Sequence, residues 1–319
     1  MLPQIYMAEH LSDKNSETTN RSKIFAMVTT LKSREYTPHA VKTFFENTEL
    51  NDTDRFILIS NDDPNAFTFQ TKLSTRLELI NNPEPLSFAA NVNQMIDLAL
   101  STSSDLYFIN NDVIFSDNWL APLAQGDDRT ILSPVSNREV QYAGSAVVIA
   151  SKHVANTMIL KAPMELNEYL ASPRMFQALA EAHSKTASGY LPLLVFPFFC
   201  VKLPLGVMRI VGKFDLSFGR AGGEDYDYAL RAWLAGFECK LALGSYLLHF
   251  WGRSTWAGGP QAESNYDKGF LKIFEEKWGK ALFQFALQEN DSAITSDPEL
   301  NNLRQTGRLG ELVRRLKMR

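Results

Sequence analysis

The chain predicts an α/β protein, a Rossmann-like layered sheet flanked by helices and followed by a C-terminal helical extension. Three observations carry that expectation. Four runs, Lys23 to Thr30, Arg55 to Ser60, Leu77 to Ile80 and Leu106 to Ile109, are short and apolar enough for buried strands. Amphipathic stretches from about Thr37 and from Ser87 to Leu100 stand between them, a spacing that calls for parallel pairing with right-handed crossovers. The later runs end in polar residues, at Asn61, Asn82 and Asn110, where open α/β sheets keep their ligands.

Each element has a local reason. Pro38 holds a favoured first-turn position in the first helix. No Gly-x-Gly-x-x-Gly follows the first strand, so a dinucleotide enzyme loses its main support. The fourth strand delivers Asn110, Asn111 and Asp112, whose hard oxygens at a strand tip suit Mg²⁺ or Mn²⁺ bridging to a diphosphate, although Asn and Asp also make ordinary turns. Beyond Trp119, Thr130 to Ser133, Ala143 to Ala150 and Phe198 to Leu203 read as strands, and Glu165 to His183 as helix broken at Pro173. The greasy run Leu191 to Val211 holds Lys202, Arg209 and three prolines, and reads as buried strand and loop. Gly222 and Gly223 then open a helix from Glu224 to Ala235, whose N-terminal dipole is expected to hold Glu224 and Asp225 ionised. Tyr226, Leu230, Trp233 and Phe237 form its core-facing stripe, and Asp227 with Arg231 makes an i,i+4 pair of the kind that steadies a helix surface. A last strand, Leu241 to Leu248, stops at His249, followed by Arg253, Ser254 and Thr255 among glycines, a loop fit to close over phosphate or sugar oxygens.

Composition narrows the function. At 319 residues, 45% hydrophobic and 21% charged, the chain is an ordinary folded protein. Its 32 Lys and Arg are outnumbered by 36 Asp and Glu, which leaves no nucleic-acid footprint. Cys200 and Cys239 are the only cysteines, too few for a disulfide framework or a zinc site, and fit a reducing cytoplasm. Residues 1–22 lack a signal-peptide core and read as a flexible leader.

The order of these features, FINNDVIFSDNWL, then FDLSFGRAGGEDYDYALRAWLAGF, then HFWGRS, resembles the family 2 glycosyltransferases of the GT-A fold, rhamnosyltransferase-like members in particular, over roughly residues 23–260. Weaker matches are VTT at 28–30, SNDDP at 60–64 and NPEPLSFAANVNQ at 82–94. The resemblance implies a mixed sheet, a nucleotide-diphosphate sugar donor and an inverting, metal-assisted transfer to a hydroxyl of a glycan, lipid-linked or protein acceptor, in bacterial surface glycan or glycoconjugate synthesis. It implies Asp112 as a ligand of Mn²⁺ or Mg²⁺, His249 as a further ligand or a diphosphate contact, and Asp225 as general base with Glu224 as substitute. Thr29, Asn61, Asp62 and Asn93 would hold base and ribose, with Asn111 and Arg253 beside the phosphates. Asn110 stands where the Asp-x-Asp motif has its first carboxylate; the change removes one negative charge, and metal, water-bridged and ribose contacts all stay open.

Two other classes compete, a non-catalytic glycan- or nucleotide-binding module on the same fold and a sugar nucleotidyltransferase. The second should carry a glycine-rich phosphate loop after the first strand, and Thr29 to Arg34 lacks the glycines. The expected layout is a leader (1–22), a transferase domain (23–288, with nucleotide-binding residues 23–118 and acceptor-binding residues 119–288) and a tail (289–319). In the tail a linker, Asn290 to Asn302, leads to a basic amphipathic helix with Leu309, Leu312, Val313 and Leu316 on one side. Such a helix fits peripheral contact with the inner face of a membrane or with a partner, although a tail of this kind more often caps its own domain or frays.

Overall fold

The computed structural model describes residues 21–61, 76–137, 164–196, 198–250, 253, 260–288 and 290–319. The strands are β1 (Lys23–Thr29), β2 (Arg55–Ser60), β3 (Leu77–Asn81), β4 (Asp105–Asn110), β5 (Val113–Phe115), β6 (Thr130–Ser136), β7 (Tyr190–Pro192), β8 (Cys200–Leu203) and β9 (Glu238–His249). The helices are α1 (Thr37–Asn47), α2 (Phe88–Thr102), α3 (Leu120–Ala124), α4 (Leu166–Ala171), α5 (Pro173–Thr186), α6 (Leu205–Val211), α7 (Glu224–Leu234), α8 (Pro260–Trp278), α9 (Lys280–Leu287), α10 (Ser292–Thr295), α11 (Pro298–Gln305) and α12 (Leu309–Lys317).

The strands form one mixed sheet in the order β3-β2-β1-β4-β8-β6-β9-β5, with β7 beside β9. β1, β2, β3 and β4 pair in parallel, as the alternating first half requires, and their near-continuous apolar sequences follow from burial on both faces. In the second half β8 runs antiparallel to β4, and β5 antiparallel to β9, so the sheet is mixed. Ile24, Ala26, Ile57, Ile59, Leu106 and Phe108 face one side of the sheet, and Phe25, Met27, Phe56, Leu58, Tyr107 and Ile109 the other, each set inside its own core.

Several expectations need correcting. Residues 205–211 form helix α6 rather than loop, started by Pro204 at its N-cap. Arg21, placed in the leader, belongs to the fold through ion pairs to Asp105 at 2.8 Å and Asp128 at 2.6 Å. The expected linker from Asn290 holds α10 and α11, the latter capped by Asp297, whose carboxylate accepts from the Glu299 and Leu300 N–H groups. The apolar stripe of α12 is not available to a membrane: Leu309, Leu312, Val313 and Leu316 are all buried, because the helix packs on α7, α9 and α11. Among the described residues no helix is long and apolar enough to cross a membrane. The expected strand Ala143 to Ala150, Asp62 and most of the loop after His249 lie outside the described residues.

Candidate functional site

Asp112 sits in the two-residue turn between β4 and β5. The antiparallel register of β5 on β9 places Val113 opposite His249, which brings the imidazole to the preceding carboxylate. His249 Nε2 lies 3.3 Å from Asp112 Oδ1, with both side chains buried at 3% and 2% exposure. The Phe250 N–H donates to the Asp112 carbonyl at 2.9 Å, and the His249 N–H donates to Asn137 Oδ1 at 2.8 Å. The imidazole stacks on Phe199, with ring centres 4.8 Å apart. Burial pushes the Asp112 carboxyl up, but the facing imidazole and the N–H groups of Arg253 and Asp112 itself outweigh it and leave the group below its ordinary value.

Among the described residues no three His, Cys, Asp or Glu side chains gather as a metal centre. Asp112 Oδ1 is nevertheless a buried carboxylate oxygen faced by the His249 imidazole at 3.3 Å. A carboxylate and an imidazole are a donor pair that would suit Mn²⁺, and Mg²⁺, which prefers oxygen throughout, less well.

The second acidic cluster opens α7. Gly222 and Gly223 turn the chain at φ +119° and +79°, and a β-carbon on Gly222 would come within 2.7 Å of the Phe270 ring, so glycine is required there on both counts. Glu224 is 4% exposed, and its Oε2 has no hydrogen-bond donor among the described residues. Asp225 is half-buried, accepting from the Tyr226 N–H at 2.8 Å and the Phe198 N–H at 3.4 Å. Contrary to expectation, the helix terminus does not hold these groups strongly ionised. Burial pushes both upward, and Asp225 pushes Glu224 further, because desolvation exceeds the about 0.3–1 kcal/mol that a helix end supplies.

The two clusters meet on one dipeptide. Phe198 donates its N–H to Asp225; Phe199 stacks on His249 and accepts the Asn110 N–H at 2.7 Å. Next to this junction a cavity of about 90 Å³ is lined by Val28, Asn61, Phe88, Asn91, Asn110 and Arg220, among others. It lies at the carboxyl ends of β1, β2 and β4, against the N-terminus of α2.

The nucleotide-side residues divide. Asn61 and Asn110 line the cavity, with Asn61 also held by Asn82, Asn91 and the Leu86 backbone. Thr29 and Asn93 point inward instead. Thr29 Oγ1 is buried 2.7 Å from Thr37 Oγ1, and Asn93 clasps the Phe214 backbone through a pair of bonds at 2.7 and 2.9 Å. Asn111 spends its amide on Ser33 and Thr37, bracing the turn before α1, although its backbone borders the cavity. Arg253 bonds Glu165, lies over the Tyr36 ring, and reaches Asp112 through its own N–H. Sequence reasoning passed over Arg220, whose exposed side chain lines the cavity and whose carbonyl accepts the Phe88 N–H at 2.9 Å. A cation inside a glycine-rich approach to an acidic helix was the signal available.

No protein-family model matches the chain, and no curated protein matches it by sequence. Solved structures do match. The crystal structure of GalNAc-T7 with UDP, GalNAc and Mn²⁺ overlays at a TM-score of 0.56 with 12% identity, covering 91% of this chain and 56% of that one. This chain therefore spans little more than half the length of that protein. The mannosyltransferase PcManGT from Pyrobaculum calidifontis, in complex with GDP-Man and Mn²⁺, overlays at 0.44 with 11% identity, covering 94% of this chain and 88% of that one. The mixed nine-stranded sheet with its flanking helices, matched over nine-tenths of its length, is a GT-A glycosyltransferase fold.

Proposed function

We propose that this protein is a glycosyltransferase that moves a sugar from a nucleotide-diphosphate donor to an acceptor hydroxyl, with inversion and with metal assistance, in the manner of the rhamnosyltransferase-like family 2 enzymes and in bacterial surface glycan synthesis. The observation that supports it is the Phe198–Phe199 dipeptide, which contacts Asp225 through one backbone N–H and His249 through one ring on a GT-A sheet.

Asp112 and His249 would hold the ion, which when bound supplies positive charge to the departing diphosphate. Asn61, Asn110 and Arg220 line the cavity that would take the nucleotide, with Asp62 in the adjoining stretch and Arg253 tethered beside Asp112. Asp225, which accepts from two N–H groups and is raised in proton affinity, would take the proton of the incoming hydroxyl, with Glu224 as substitute. A base near the working pH is the more effective one, so the upward shift favours that role.

The test is a panel of nucleotide sugars scored by thermal stabilisation with and without Mn²⁺. At least one donor should give a shift that the metal enlarges, and no metal-enhanced shift for any donor would refute the reading. Asp225→Asn should keep that shift and lose transfer by about 10²–10⁴-fold. A non-catalytic binding module is favoured by one observation, the amide of Asn110 in place of a carboxylate; metal-enhanced donor binding without transfer or donor hydrolysis would establish it.

A further inference from the structure

The sequence marks Asp227 as half of a surface pair, and the structure places it elsewhere. Its side chain has 0% exposure, with Arg231 Nε 2.9 Å from one oxygen and Lys277 Nζ 2.7 Å from the other. Trp278 donates its indole N–H to that second oxygen at 2.9 Å. Lys277 also reaches Asp215 Oδ2 at 2.5 Å and lies over the Phe218 ring, so the end of α8 is fastened to the approach to α7. The Asp227 N–H closes the first turn of α7 on the Gly223 carbonyl at 2.8 Å. One residue thus fixes the turn that presents Glu224 and Asp225, through its backbone at one end and its carboxylate at the other.

The charges in that turn are unequally matched. Asp227 is ion-paired with Arg231 and Lys277, and it adds a like charge beside Glu224 that makes ionisation harder. The other charged groups around it are Asp215, Lys213, which pairs with Asp97 at 2.7 Å, and Lys317, which lies over the Trp278 ring. We propose that Asp227, held by Lys277, is a positioning residue for the Glu224–Asp225 pair, fixing the turn that carries it and keeping its own negative charge an i,i+3 step from Glu224. The end of α8 thereby steadies the turn through Lys277 and Trp278. This inference rests on the acid–base role given to the pair above.

Carbon-13 titration of the Glu224 carboxyl in the full chain, assigned with Glu224→Gln, tests it without substrate. Asp227→Asn removes the like charge and should move the Glu224 midpoint down by about half a pH unit or more. Lys277→Met removes the compensating cation and should move it up, while Trp278→Phe, which loses a hydrogen bond and no charge, should leave it in place. A purely structural role predicts lower melting temperatures in all three with no opposed shifts, and midpoints that do not move, or move the same way, overturn the proposal. If Asp227→Asn does not fold, Lys277→Met decides, because that side chain is 30% exposed and its loss leaves Asp227 with Arg231 and Trp278. Because the titration needs no donor, an inert donor panel with the expected shifts would refute the transferase and keep the coupling, and the converse result would do the opposite.

Discussion

Glu224 makes folding more costly as pH rises. Its folded carboxyl is raised by burial and by Asp225, so between the ordinary glutamate value and that raised value the native state binds more protons than the unfolded one. Stability from this group is therefore greatest in mild acid and falls as pH climbs through the window. Glu224→Gln should raise the melting temperature at pH 8 to 9 by an amount equivalent to about 1–2 kcal/mol and change it little near pH 5, as calorimetry at both pH values will show. The acidic pair was legible in the sequence from the glycines before it, but its burial was not, since a turn's surroundings come from other elements, here Phe270 and Phe218 against Gly222 and Gly223. Thr29 and Asn93 show the same limit. A polar residue at a strand end or early in a helix reads alike whether it faces the ligand edge or, as here, braces Thr37 and Phe214.

Among the elements, the first four strands and the helices between them were readable because buried parallel strands carry nearly unbroken apolar runs. The tail helix was readable as amphipathic, but periodicity states only that a face is apolar and not what covers it. The cover is α7, and the fit is close: a β-carbon added at Gly310 would stand 2.8 Å from the Trp233 carbonyl oxygen. That oxygen is backbone and cannot swing aside. Gly310→Ala should therefore destabilise the fold by about 1–3 kcal/mol, despite the better helix propensity of alanine, and urea melts of the two proteins will measure it.

At the scale of the molecule, the C-terminal helices complete the core rather than trail from it. Ile294, Leu300, Leu303, Leu309, Leu312, Val313 and Leu316 are buried on α7, α9 and one another. A chain ending at residue 288 should melt well below the full chain and expose apolar surface to a reporter dye, whereas the full chain should not co-float with anionic liposomes. The sheet order has a separate consequence for synthesis. The partner of β5 and β6 is β9, more than a hundred residues further along the chain, so a nascent polypeptide emerges from the ribosome with both segments still lacking their main neighbour. Until residue 249 has been added, β5 lacks that partner and β6 has one edge uncovered beside β8, open templates for a neighbouring nascent chain that a chaperone would keep apart.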